Sequence, residues 1–228
     1  MQVAGSDENT YTEALSTWQG LGDAAREKVD LVDVHGYEYT NGRRDLLYEA
    51  VHHDGKRLWN SEYGEGDASG MSLAQNLNLD FQYLHPTAWV YWQVLDGAGW
   101  GLIEASNEDG TVGLPHPKYY VLLQYSRHIR PGMLIIDGGD ANTVSAYDKQ
   151  RGVLVIVTTN YGNAQWITYD LSKFSDVAGP VTRWKTLAGD SGDKYKIYHD
   201  VSIQGERLVN VFFESNSVQT FEIQNVKI

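Results

Sequence analysis

One acidic side chain carries most of the chemistry this sequence could perform. Glu62 stands in the run Asn60-Ser61-Glu62-Tyr63, which closes a short apolar stretch, Lys56–Tyr63, that reads as a β-strand. A carboxylate at the C-terminal end of a strand can reach a substrate lying over the sheet. There it could attack an anomeric carbon, form a glycosyl ester, and leave when water hydrolyses that ester. A lone Glu at a strand end is more often a solvated surface group, but the neighbours change the balance. His35 and Tyr37 close the preceding stretch, Val29–Tyr37. Side chains at i and i+2 share one face of a strand, so both could point into one site. A Tyr hydroxyl donating to the carboxylate would hold it ionised. The His could contact sugar hydroxyls, although a core His and a packing Tyr fit the same residues.

The next stretch, Ala88–Leu95, carries Trp89 and Trp92. Trp92, nearer the strand end, could floor a sugar ring, since a flat aromatic face stacks on C–H groups. Trp89 reads as core. Trp100 lies in the glycine-rich loop Gly97–Gly101 and is either an outer platform or a cap on the core. Tyr63, Asp7 and Glu8 complete the candidate substrate-binding set, with Glu65 and Asp67 as weaker rim carboxylates that could equally be solvated. His52, His53 and Asp54 do not read as a metal site, because adjacent helical side chains point in different directions. No GxGxxG and no P-loop is present, so no cofactor is expected.

The elements that would position these residues alternate. Met1–Ser6 reads as the tail of a strand and Thr12–Gly20 as a helix or turn. Helical spacing of apolar residues marks Arg43–His53, Ser72–Leu84 and Lys118–Arg130, the last stopped by Pro131-Gly132. The order β-α-β-α-β-α-β-α implies a parallel sheet. Four such units make a small doubly wound sheet or half of an eightfold barrel. Function at the C-terminal ends of strands is common to both. After Gly132 the composition changes to short Val-, Ile-, Thr- and Tyr-rich runs separated by Gly, Asn and Asp turns, as in an antiparallel β-sandwich. The boundary is expected near residue 132, with residues 1–132 forming the α/β part and 133–228 the all-β part.

Composition narrows the partners. A formal net charge of −12 disfavours a nucleic acid, which needs clustered Lys and Arg. No apolar run approaches the ~20 residues of a membrane span. The absence of Cys excludes disulfide and thiolate chemistry. The N-terminal MQVAGSDENT has neither the basic nor the apolar region of a signal peptide.

Three motifs in order, VDVHGYEY at 32–39, LWNSEYGEGDASG at 58–70 and TAWVYWQVLDGAGWG at 87–101, resemble the last three barrel strands of glycoside hydrolase family 30. VAGSDEN at 3–9, followed by Thr17-Trp18, is similar to the fifth-strand region of that family's endo-β-1,6-galactanase branch. The β-rich remainder resembles its side β-sandwich. The resemblance implies an α/β plus all-β fold: the C-terminal half of a (β/α)8 TIM barrel, about strands five to eight, and then the sandwich. It implies retaining hydrolysis by two glutamates, with Glu62 as the nucleophile. The acid/base glutamate ends the family's fourth strand in an Asn-Glu pair, and no residue of this chain matches it. Glu8 follows the fifth strand and is not given that role. The implied partner is a polysaccharide, β-1,6-galactan side chains of arabinogalactan, and the implied parent is secreted. The N-terminal half of the barrel would lie outside this chain, and the segment alone is expected to be inactive. β-1,6-Glucanase, xylanase and glucosylceramidase remain open within the same fold. Outside it stand a non-catalytic carbohydrate-binding protein and a non-functional fragment. Oligomeric state is not legible.

Overall fold

The computed structural model describes all 228 residues. Its first part winds β1 (Ala4–Glu8), α1 (Tyr11–Gly20), α2 (Asp23–Lys28), β2 (Leu31–His35), α3 (Arg44–His53), β3 (Arg57–Tyr63), α4 (Met71–Leu79) and β4 (Ala88–Tyr91). The four strands form one parallel sheet in the order β1-β2-β3-β4. Thr10 caps α1: its hydroxyl accepts from the Glu13 amide at 3.1 Å and donates to the Glu13 carboxylate at 2.9 Å. The helix-side core joins Val32, Val34 and Leu58 of the strands to Tyr11, Trp18, Leu47, Val51 and Leu84.

Three expectations shift here. The helix expected over Ser72–Leu84 is regular only to Leu79 and continues as a π turn over Asp80–Leu84. The strand expected over Ala88–Leu95 leaves the sheet after Tyr91. A short helix, α2, and a three-stranded sheet, β5 (Leu95–Asp96), β6 (Ile103–Ser106) and β7 (Thr111–Pro115), were not foreseen. α2 buries no residue, so it has no apolar stripe to betray it.

α5 (Pro117–Ser126) begins with proline in its first turn, where the missing N–H costs nothing. It ends four residues before the expected Arg130, where the Arg130 guanidinium turns back to the Ser126 carbonyl at 2.7 Å. The β-rich part then runs through β8 (Leu134–Ile136), β9 (Thr143–Asp148), β10 (Val153–Asn160), β11 (Gln165–Asp170), β12 (Asp176–Val177), β13 (Val181–Leu187), β14 (Lys196–Tyr198), β15 (Ser202–Ile203), β16 (Arg207–Phe213), β17 (Ser217–Ile223) and β18 (Val226–Lys227). A six-stranded sheet, β14-β13-β17-β10-β9-β8, faces a three-stranded sheet, β11-β16-β15. β10 is buried along its whole length because it is covered on both faces. Val153, Val155 and Val157 point to α4 and α5, while Leu154 and Ile156 point to the small sheet. The first of these cores also contains Tyr63, Leu73, Leu77, Val121 and Tyr125, so it runs from the parallel sheet's helices into the six-stranded sheet.

Candidate active site

All three ladders of the parallel sheet break register at their C-terminal ends: between Ser6 and Glu8, between Val34 and His35, and between Asn60 and Tyr63. Such bulges re-aim side chains, and here they turn Asp7, His35 and Glu62 toward one another. Glu62 keeps 22 % of its side chain exposed. The Tyr37 hydroxyl donates to Glu62 Oε1 at 2.8 Å. Burial, and then the Glu62 carboxylate itself, push the Tyr37 hydroxyl well above the ordinary phenol range, so it remains a neutral donor. Tyr37 does not arrive by strand pleating, as the i, i+2 spacing implies. β2 stops at His35, and Tyr37 comes round in the turn after it. Gly36 makes that turn possible: a Cβ there would sit 2.9 Å from Asn60 Nδ2 and 2.9 Å from the Tyr63 ring.

His35 Nδ1 lies 3.6 Å from Glu62 Oε1, beyond hydrogen-bond reach. The ring is held instead between Asn9 Oδ1 at 3.2 Å and Asp7 Oδ1 at 3.1 Å. Asp7 sits in the left-handed region at φ 60°, which Asp tolerates better than most residues. Its carboxylate also accepts from Ser61 Oγ at 2.9 Å, and so laces β1, β2 and β3 together. Glu8 is placed elsewhere. Its carboxylate accepts from Thr17 Oγ1 on α1 at 2.7 Å, so it is not a rim residue of this site.

Tyr63 also leaves the substrate-binding set. It is 1 % exposed and packs at the centre of the shared core, because its position in β3 faces the helices. Trp92 is 46 % exposed and Trp100 36 % exposed. Gly64 lets them approach the strand end: a Cβ there would lie 3.1 Å from Trp92 Cβ and 3.2 Å from Trp100 Cζ3. Trp89 is half-buried and donates its indole N–H to Asp80 Oδ2 at 2.8 Å. Glu65 is buried and Asp67 caps the start of α4, accepting from Ser69 and Ser72 amides at 2.9 and 3.0 Å, so neither reads sugar at the rim.

Sequence reasoning missed what fixes Glu62 from below. Asp80, fully buried, accepts from Arg44 Nε at 2.6 Å, Tyr11 Oη at 2.9 Å, Asn60 Nδ2 at 2.7 Å and Asn76 Nδ2 at 3.0 Å, as well as from Trp89. Asn60 in turn accepts from the Glu62 amide at 3.3 Å. Asp80 is carried at the end of α4, its backbone still helical at φ −67° and ψ −45° with its amide on the Asn76 carbonyl, and no apolar periodicity announces the π turn that follows. No group of three or more His, Cys, Asp or Glu side chains is arranged to hold a metal ion. No helix is long and apolar enough to cross a membrane.

No family model matches the chain. It is 52 % identical over 228 residues to an endo-β-1,6-galactanase of Hypocrea rufa, an alignment covering 98 % of this chain and 47 % of that protein. The chain therefore spans about half the length of the curated relative it matches. Among solved structures, a glycoside hydrolase family 30 subfamily 8 xylanase from Clostridium acetobutylicum aligns with a TM-score of 0.76 at 19 % identity, over 98 % of this chain and 56 % of that one. A family 30 endoxylanase from Clostridium papyrosolvens aligns with the same TM-score, identity and coverage. The chain thus resembles an endo-β-1,6-galactanase in sequence, and its fold matches a little over half of each of two family 30 xylanase chains.

Proposed function

We propose that Glu62 is the nucleophile of a retaining glycosidase site that cleaves β-1,6-galactan. The observation that carries this reading is the 2.8 Å bond from Tyr37 to Glu62 Oε1, at the partly exposed end of a parallel strand. The tyrosine stabilises the carboxylate before attack and again when hydrolysis of the ester releases it. Asp7 and His35 order the floor of the site, and Trp92 and Trp100 offer ring faces to the sugar. The acid/base that protonates the leaving oxygen is read as supplied by a segment outside these residues, as the resemblance to family 30 implies.

Residues 1–132 are read as the last four βα units of an eightfold barrel and 133–228 as its side sandwich. The face of the parallel sheet opposite the helices supports this, for it leaves Trp59 and Val90 exposed. A polymer substrate places the parent outside the cell. Galactan rests on the 52 % identical relative.

A 2-deoxy-2-fluorogalactosyl fluoride tests the assignment, because fluoride departs without a general acid. The expected outcome is a covalent adduct on the peptide carrying Glu62, seen by mass spectrometry and lost in Glu62→Gln. An adduct elsewhere overturns the nucleophile. Efficient hydrolysis of β-1,6-galactan by the 228-residue chain alone would overturn the external acid/base.

A further inference from the structure

The chemistry assigned to Glu62 makes no use of a fully buried cation near the end of β3. Lys118 opens α5, and its side chain is 0 % exposed. An ammonium has three protons, and three acceptors surround it: the Glu65 carbonyl at 2.5 Å, the Gly99 carbonyl at 2.7 Å and the Tyr91 hydroxyl at 3.0 Å. The Glu65 carboxylate stands 2.9 Å away and balances the charge, yet its Oε1 receives no hydrogen bond. All three protons are committed to the other acceptors.

The acceptors share a location. Glu65 follows Glu62 by three residues, on the loop leaving β3. Gly99 immediately precedes Trp100. Tyr91 ends β4 and donates its own hydroxyl to the Trp100 carbonyl at 2.6 Å. An apolar side chain could fill the base of α5 without burying a charge, and such replacements are often neutral or stabilising. The directional bonds are what an apolar residue could not supply. We infer that Lys118 is a positioning residue for the sugar platform: it sets where the Trp100 ring stands relative to Glu62. This rests on the glycosidase reading, in which Trp100 receives a sugar.

Lys118→Met keeps a long apolar stem and removes the donors. Tyr91→Phe removes one link while keeping the ring, and serves if the first variant does not fold. Each is made with Trp100 and with Trp100→Phe, so that the contribution of Trp100 is a difference. Without ligand, acrylamide should quench the Trp100 emission about twofold more in Lys118→Met, as expected for a ring released from a fixed local structure. With β-1,6-galactotetraose followed by tryptophan fluorescence, affinity should fall roughly tenfold in Lys118→Met and about threefold in Tyr91→Phe, and neither should weaken Trp100→Phe further. Unchanged quenching and affinity overturn the proposal, and so do losses that add to that of Trp100→Phe. A changed quenching with no sugar binding by any protein overturns the glycan reading but upholds the placement of Trp100 by Lys118.

Discussion

The region under Glu62 and the region behind the six-stranded sheet are held by opposite means. Under Glu62 the centre is the Asp80 carboxyl group with five donors from α1, α3, β3, α4 and β4. Between the two β-sheets the centre is hydrocarbon: Leu154, Ile156, Leu208, Val211, Phe213 and Phe221. Burying a large apolar side chain stabilises by about 1.5–3 kcal/mol. A buried ion pair loses much of its Coulombic gain to desolvation. The polar centre is therefore not the more stabilising design. Its donors come at fixed angles, which orients Asn60 and Trp89, and through Asn60 the amide of Glu62. One region supplies cohesion and the other supplies aim.

Paired substitutions test that contrast. Asp80→Asn leaves Arg44 buried beside a neutral partner and should lower stability by roughly 3–5 kcal/mol. Phe221→Ala should lower it by a similar ~3–5 kcal/mol through loss of contacts and a cavity. The two should part in reactivity: well below the melting transition, Asp80→Asn slows labelling of Glu62 by the fluoro-sugar and Phe221→Ala does not. Equal slowing in both would erase the distinction.

Tyr37→Phe should have a smaller effect, confined to the site. Melting by circular dichroism should barely move, while labelling slows by roughly 10–100-fold, the equivalent of the ~1.5–3 kcal/mol of a hydrogen bond to a charge. A large drop in melting temperature would instead make Tyr37 part of the cohesive machinery.

The smallest effect is a pH dependence common to both regions. Nine of the fifteen tyrosines, including Tyr11 and Tyr63 near the site and Tyr125 and Tyr169 near β10, are held above the ordinary phenol value of 10.0, chiefly by burial. Between their unfolded and folded pKa values the folded chain keeps protons that the unfolded chain releases. Stability is thus retained below about pH 10 and declines as pH rises beyond it. Phenolate absorbance should show these tyrosines silent in the native state and released in one step on alkaline unfolding.

The strands and helices that place Glu62 were legible because one face of β2, Val32 and Val34, and one face of each long helix are apolar. The approach of Tyr37 to Glu62 was legible by residue type, although the route through a turn was not. Asp80 was not legible. On a helix over Ser72–Leu84 it lies at the flank of the stripe of Leu73, Leu77 and Leu84, but nothing in that pattern says that donors from five separate elements converge on it. Lys118 was invisible for a similar reason, since a lysine in the first turn of a helix is ordinarily on the surface. The β5–β7 sheet is short and mostly exposed, so no alternation of apolar residues marks it.

The apolar core that runs from Tyr63 through Leu77 and Tyr125 into Val144, Val155 and Val218 has a further consequence. A core that straddles two architectures makes their folding cooperative. Heating should give a single calorimetric transition rather than two, and neither part should persist as an autonomous module when expressed by itself. Recombination that exchanged the β-rich part for a foreign one would have to match the valines facing α4 and α5. The sheet is then a co-inherited wall of the site rather than a detachable appendage.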